Sequence, residues 1–212
     1  MSATTCPLCL STATFAFYQD KRRDYCRCSQ CHLVFVPSDQ HLSLADEKAI
    51  YDLHDNDLDD AGYRHFLTRL VEPLQARLMP GSKGLDYGCG PGPLLAQMLK
   101  EQGHAVEIFD PFYANHPQLL QQHYDFVTCT EVVEHFRQPN QEFQRLFSLL
   151  KPHGLLGLMT KLVIDAEAFS KWHYKNDLTH VSFFSEPTLR WLADTYRYSL
   201  KIIGKDVIIF RR

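Results

Sequence analysis

Between residues 62 and 79 apolar side chains return at every third or fourth position, as Phe66, Leu67, Leu70, Leu74 and Leu78. That spacing predicts one amphipathic helix over Gly62–Met79, kinked at Pro73 and ended by Pro80-Gly81. From Gly84 onward the pattern changes. Short apolar runs at Gly84–Tyr87, His104–Phe109, Tyr124–Thr130 and Gly154–Thr160 predict strands. Helical spacing at Pro93–Gln102, Asn140–Leu150 and Glu186–Tyr196 places helices among them; Gly103 caps the first and Lys151-Pro152 stops the second. Leu200–Ile203 and Val207–Phe210 read as a hairpin over Gly204-Lys205. Strands alternating with helices imply right-handed βαβ units, hence an α/β fold with a mostly parallel sheet to which the hairpin adds an antiparallel strand. Ahead of this lie short β-like runs at Thr14–Tyr18 and Leu33–Val36, then a polar stretch with a helix expected over Ser43–His54. Ser43 would cap that helix, with Asp46 and Glu47 in its first turn. The run Asp55–Asp60 reads as a solvated lid rather than an EF-hand, because Asp60 and Phe66 stand where such a loop needs glycine and glutamate. These textures divide the chain into 1–37, a helical lid or linker over 38–80, and an α/β domain over 81–212.

Composition adds limits. The 212 residues fit one main domain with a small appendage. A formal net charge of −3 argues against a nucleic-acid partner, leaving only the local cations Lys21, Arg22, Arg23 and Arg27. No apolar run is long enough to cross a bilayer, and MSATTCPLCL lacks the features of a secretory leader. The expectation is a cytoplasmic protein without membrane insertion. Seven cysteines in that setting read as metal ligands or reactive thiols rather than disulfides.

Four of those cysteines are ordered. Cys6-x-x-Cys9 and Cys28-x-x-Cys31 form two knuckles separated by 18 residues, the spacing of a tetrahedral zinc ribbon. Zinc would replace the core that so short a segment cannot build. Cys26 is an alternative to Cys28, and free thiols in an unstructured leader are the competing reading. His32 reads as a turn residue, with ligation as its fallback. Cys89 and Cys129 read as small buried residues.

Gly88-Cys89-Gly90-Pro91-Gly92 lies between a strand and a helix, where glycines let a ligand approach the main chain. Asp110, at the end of the next strand, can accept both hydroxyls of a ribose. A third glycine of a nicotinamide fingerprint would fall at Pro93, and no lysine follows to make a phosphate loop. The stretch LDYGCGPG over residues 85–92 resembles the first signature of class I S-adenosylmethionine methyltransferases. The resemblance continues in Tyr124–Phe136 and in Leu149–Gly154, where His153 replaces a usual glycine, and covers roughly residues 60–212. It implies a Rossmann-like fold with S-adenosylmethionine as cofactor. Asp86, Gly88, Gly90 and Gly92 would surround its methionine part, and Asp110 would hold its ribose. Pro111 and Phe112 are candidates for the base, while Thr130, Glu131 and Tyr63 complete the expected cofactor site, with Arg64 near the carboxylate. A chance glycine turn in another α/β protein is the alternative. The interval from Asp110 to Tyr124 is too short for a full helix and the family's third strand. Ribbons ahead of such domains occur in some sugar C-methyltransferases, which Tyr25–Val36 resembles, and in some ribosomal RNA methyltransferases.

Methyl transfer needs proximity, orientation and, for a protonated nucleophile, a base. The segment Lys171–Ser185 is rich in aromatics and histidines, and His180 is the first choice of base, ahead of His135 and His173. Packing is an equal reading for His180. Glu131, Glu134 and His135 match an E-x-x-E-H arrangement which, in the related quinone-biosynthesis O-methyltransferases, looks able to bind a divalent ion; helix capping is the plainer reading. The expected function is methylation of a small-molecule oxygen or carbon acceptor. An RNA- or protein-modifying enzyme docking through the ribbon, and a non-catalytic cofactor- or zinc-binding protein, are the alternatives.

Overall fold

The computed structural model describes residues 4–53 and 60–212. Its main sheet has six strands. These are β4 (Lys83–Tyr87), β5 (Ala105–Phe109), β6 (Tyr124–Thr130), β7 (Leu150–Met159), β9 (Ser199–Ile203) and β10 (Val207–Arg211), in the order β5-β4-β6-β7-β10-β9. The first four are parallel; β10 runs antiparallel to both β7 and β9. This is the Rossmann-like arrangement the strand–helix alternation implies. The sheet stops at β5. The chain beyond it makes a bridge between Asp110 and Ala114 and a 3-10 turn over Pro117–Gln121, with no third strand.

Strand alternation sends successive side chains to opposite faces. Phe126, Leu155, Met159, Val207 and Ile209 meet α2 (Ala61–Gln75) and α3 (Leu94–Glu101) through Leu67, Leu70, Leu74, Leu95 and Leu99. Val127, Leu156, Leu158, Ile208 and Phe210 meet α4 (Pro139–Ser148) and α6 (Glu186–Tyr196) through Phe143, Leu146, Phe147, Leu189 and Leu192. Helix α2 is shorter than its apolar spacing suggests. Beyond Gln75 the Arg77 and Leu78 amides bond three residues back, to Leu74 and Gln75, so the helix tightens and ends. Its start is fixed by Asp60, whose carboxylate accepts the Gly62 and Tyr63 amides at 2.7 and 3.1 Å. Helix α1 (Leu44–Tyr51) is capped by Ser43, which accepts the Asp46 amide at 3.1 Å. The last residue expected in it, His54, and residues 55–59 of the acidic lid lie outside the described residues.

A second, four-stranded sheet runs in the order β1 (Thr14–Gln19), β2 (Asp24–Cys28), β3 (Val34–Phe35), β8 (Ser182–Phe183). Its fourth strand comes from far along the chain, with Val34 opposite Phe183 and Phe35 opposite Ser182. The cysteine-bearing segment therefore shares a sheet with the loop that follows β7. It also shares a core, since Leu8, Leu33 and Phe35 belong to the same buried cluster as Phe136, Phe143 and Phe184. The loop carries a short helix α5 (Ala166–Ser170), capped by Asp165, and a 3-10 turn over His173–Asn176. No helix among the described residues is long and apolar enough to cross a membrane.

Candidate functional site

The glycine turn crosses from β4 to α3 at the carboxyl edge of the parallel strands. Gly88 and Gly90 have φ of +78° and +62°. A Cβ on Gly88 would lie 2.6 Å from a Val132 methyl, so the turn can be this tight only with glycine there. Asp110, at the end of β5, is buried and accepts three amides: Gly90 at 3.0 Å, Phe112 at 2.8 Å and Tyr113 at 3.1 Å. Its carboxylate thus ties the turn to the next loop. Asp86 is 4% exposed, and its carboxylate accepts the Thr128 hydroxyl at 2.8 Å. Burial raises its carboxyl to about 6; the Thr128 bond opposes that and the Asp110 charge adds to it.

Asp86, Gly88, Gly92, Tyr63 and Thr130 line one narrow crevice with Cys89 and Leu95. Two buried polar atoms beside it lack a partner, the Thr130 hydroxyl and one Glu131 carboxyl oxygen. Orphaned polar atoms of this kind are rare unless a ligand takes them. With the glycine cradle and two acids they fit a polar, adenosine-bearing cofactor. Pro111 is exposed, and Phe112 packs against Tyr51 with ring centres 5.8 Å apart. Arg64 forms an exposed ion pair with Glu101 at 2.7 Å.

A second polar group follows the end of β6. Glu131 adopts φ +53°, a strained conformation for a non-glycine residue. Glu134 is fully buried. The Tyr174 hydroxyl bonds to Glu134 and lies 3.2 Å from Glu131, while Thr160 donates to Glu134 at 3.0 Å. Burial raises both carboxyls, and the Glu131 charge raises Glu134 further. One tyrosine hydroxyl faces two carboxyl groups there, and burial together with their mutual proximity favours the protonated form of the pair over that of two exposed carboxyls.

His180 is buried, with Nδ1 2.7 Å from the Tyr174 carbonyl. A carbonyl only accepts, so Nδ1 carries the hydrogen and Nε2 the lone pair. Burial lowers its pKa, favouring the neutral ring, against a nearby Asp177 charge. The His135 ring lies 4.6 Å from it, with Nδ1 2.9 Å from the Tyr51 hydroxyl. Tyr51 in turn donates to Glu47 at 2.8 Å. Ligand atoms of Glu134, His135 and His180 all lie within 4.8 Å of one another. Glu131 is not in that group, although the sequence pairs it with Glu134 and His135. His173 is exposed, 3.0 Å from the Lys161 ammonium. Tyr174 belongs to the aromatic, histidine-bearing segment Lys171–Ser185 singled out in the sequence, whereas Thr160 and Tyr51 escape a reading of the sequence; the one signal for Tyr51 is its helical spacing from Glu47.

The sulfurs of Cys6, Cys9, Cys28 and Cys31 converge, all within 4.8 Å of one another, and Cys26 is not among them. Cys6–Cys31 and Cys9–Cys28 are 3.5 and 3.4 Å apart. Tetrahedral thiolates at zinc bond lengths are roughly 3.8 Å apart, so the donor set fits that ion. The knuckles are built alike: Leu10 and His32 follow the second cysteine of each, with φ of +63° and +61°. Of the nearby cations, Arg23 is buried and Arg27 sits 5.6 Å over the Phe17 ring, so the sequence cluster is not one exposed patch.

The family described as methyltransferase domain matches residues 60–200. Ubiquinone biosynthesis O-methyltransferase of Yersinia pestis (strain Pestoides F) is 37% identical over 71 residues, which cover 34% of this chain and 29% of that enzyme. The matched stretch thus spans under a third of such curated relatives. Among solved structures, the Burkholderia thailandensis 1,6-didemethyltoxoflavin-N1-methyltransferase, with S-adenosylhomocysteine bound, gives a TM-score of 0.54 at 18% identity. It covers 93% of this chain and 98% of that one. Magnesium protoporphyrin IX methyltransferase from Synechocystis PCC 6803 gives 0.50 at 18% identity, over 79% of this chain and 94% of that one. These two likenesses concern the fold. The family match runs from the start of α2 into β9, through the whole alternating part of the chain, and on that ground the protein belongs to the methyltransferase-domain family, the class I S-adenosylmethionine-dependent methyltransferases.

Proposed function

We propose that this protein transfers a methyl group from S-adenosylmethionine to an oxygen or carbon nucleophile of a small molecule. The observation that carries the reading is the ordered glycine turn, tied to Asp110 through the Gly90 amide, with Asp86 and the unpartnered Thr130 hydroxyl lining one crevice. When bound, the cofactor supplies an electrophilic methyl on a sulfonium. The protein's part is to hold, orient and exclude water. Asp110 takes the ribose hydroxyls. Asp86 takes the methionine ammonium with Gly88, Gly90, Gly92, Thr130 and Tyr63 around it, while Pro111, Phe112 and Glu131 border the site.

On the acceptor side His180 serves as base through Nε2. Its Nδ1 bond to the Tyr174 carbonyl fixes the tautomer that leaves this atom open to a proton. His135 flanks it, and His173 stands at the exposed rim. Burial raises the pKa of both nearby acids and so disfavours their charged forms, which suits a neutral, polar acceptor better than an anionic one. In this reading residues 1–37 are a structural zinc ribbon held by Cys6, Cys9, Cys28 and Cys31, residues 38–80 a cover, and residues 81–212 the cofactor domain.

Calorimetry is the test. Saturable binding of S-adenosylmethionine is expected, weakened about 10- to 100-fold in Asp110→Ala, the loss of one or two charge-assisted bonds. No saturable binding would remove the reading. Labelled cofactor incubated with a small-molecule extract should give a methylated product with the parent protein and none with His180→Gln.

A further inference from the structure

The turn between β1 and β2 carries a cation that does not face water. Arg23 is 5% exposed, and a buried guanidinium is tolerated only where acceptors surround it. Its acceptors all belong to one distant segment. Nη1 donates to the carbonyls of Leu178 and His180 at 3.0 and 2.9 Å, and Nη2 to those of Lys175 and Asp177 at 2.6 and 3.0 Å. The side chain is launched from a braced turn. Asp20 accepts the Arg22 and Arg23 amides at 2.8 and 2.9 Å, and its other oxygen accepts the Tyr25 hydroxyl at 3.0 Å.

The segment held in this way carries the polar groups of the acceptor side. His180 gives one of the four carbonyls, and its ring is bonded to the Tyr174 carbonyl at 2.7 Å. The Tyr174 hydroxyl bonds to Glu134 and lies near Glu131. The Val181 amide donates to the Glu134 carbonyl at 2.8 Å and the Val36 amide to the Val181 carbonyl at 2.9 Å, so this peptide sits between the end of β3 and the turn that follows β6. Four carbonyls turned toward one point repel each other unless a donor with several diverging N–H groups lies among them. A guanidinium provides that fork and a lysine ammonium does not.

We propose that Arg23 is a positioning residue for methyl transfer, fixing the 175–180 peptide and through it the pose of His180. The link from this pose to catalysis rests on the reading of His180 as the base; the ordering of the segment by Arg23 does not.

The test is nuclear magnetic resonance on the full chain, with labelled histidine rings and arginine side chains. In the parent protein the His180 Nδ1 hydrogen and the Arg23 Nη hydrogens are expected to be protected from solvent exchange. In Arg23→Lys, the His180 ring signal should be lost and amide exchange over 174–181 should speed up at least tenfold. Binding of S-adenosylhomocysteine by calorimetry should stay within about threefold of the parent. A folded Arg23→Lys that keeps the ring signal and the slow exchange overturns the proposal. Should that variant not fold, the parent alone decides: Arg23 Nη hydrogens exchanging as fast as free arginine overturn it, and protected ones support it. His180→Gln separates the two readings. If it keeps the protected segment and still methylates an extract component, His180 is not the base, while the positioning by Arg23 stands.

Discussion

Asp86 sits where water does not reach, and its charge follows from that. Burial raises its carboxyl to about 6 from an ordinary 3.8. The folded protein therefore holds this proton more tightly than the unfolded chain does, and the stability tied to it is lost as pH climbs from about 3.8 through 6. A bound ammonium reverses the preference by favouring the charged form. Affinity for S-adenosylmethionine should accordingly fall by up to about tenfold per pH unit below 6, a slope that Asp86→Asn should abolish; calorimetry at pH 5 and 7.5 checks it. Glu134 gives a second case. Its carboxyl is raised above 4.5 by burial and by Glu131, so it weakens the fold as pH rises beyond that value. Glu134→Gln mimics the protonated form, and its denaturant midpoint should change less between pH 5 and 8.5 than that of the parent. Asp110 is legible in the sequence from its place just after β5, and Asp86, within β4, from the resemblance of residues 85–92 to the family's first signature. Arg23 is not: its neighbours in sequence are Lys21, Arg22 and Arg27, while its partners lie as far as 157 positions away.

At the scale of elements, periodicity and punctuation carry much of the fold. β6 and α6 run from Tyr124 to Thr130 and from Glu186 to Tyr196, the bounds their apolar patterns suggest. Strand β8 is different. Two residues cannot show a period, and Ser182–Phe183 becomes a strand only because β3 offers an edge. Helix α5, five residues long, is set by the Asp165 cap rather than by any apolar stripe. The knuckles are local, so their spacing is legible and favours Cys28 over Cys26, and the cluster contains Cys28 and not Cys26. Both are paired in the β1–β2 ladder, Cys26 opposite Ala16 and Cys28 opposite Thr14, and it is Cys28, at the end of the strand, that lies beside the other sulfurs. Cys28→Ser should reduce the bound zinc from about one per chain to a small fraction, whereas Cys26→Ser should retain it, as atomic spectroscopy of the purified proteins would show.

The whole molecule behaves as one unit in this arrangement. Leu8, Leu33 and Phe35 are packed in the same cluster as Phe143, Phe184 and Leu146, so the ribbon cannot leave without opening the face of the main sheet. A single calorimetric transition is therefore expected, and a zinc chelator should move its midpoint down without splitting it. Two resolved transitions would contradict the shared core. The sequence shows a change of texture near residue 37, but no local pattern records contacts that cross it.

The pairing of β3 with β8 also orders events in time. All four clustered cysteines precede residue 32, and their knuckles can close while the rest of the chain is still being made. The strand that covers Val34 and Phe35 arrives only with Ser182 and Phe183. Until then the ribbon presents an open edge, a template for any other extended chain. Products interrupted between residues 40 and 180 are expected to self-associate through that edge, and monomeric behaviour of such fragments in sedimentation would contradict it. Completion of the chain is thus itself the protection against aggregation.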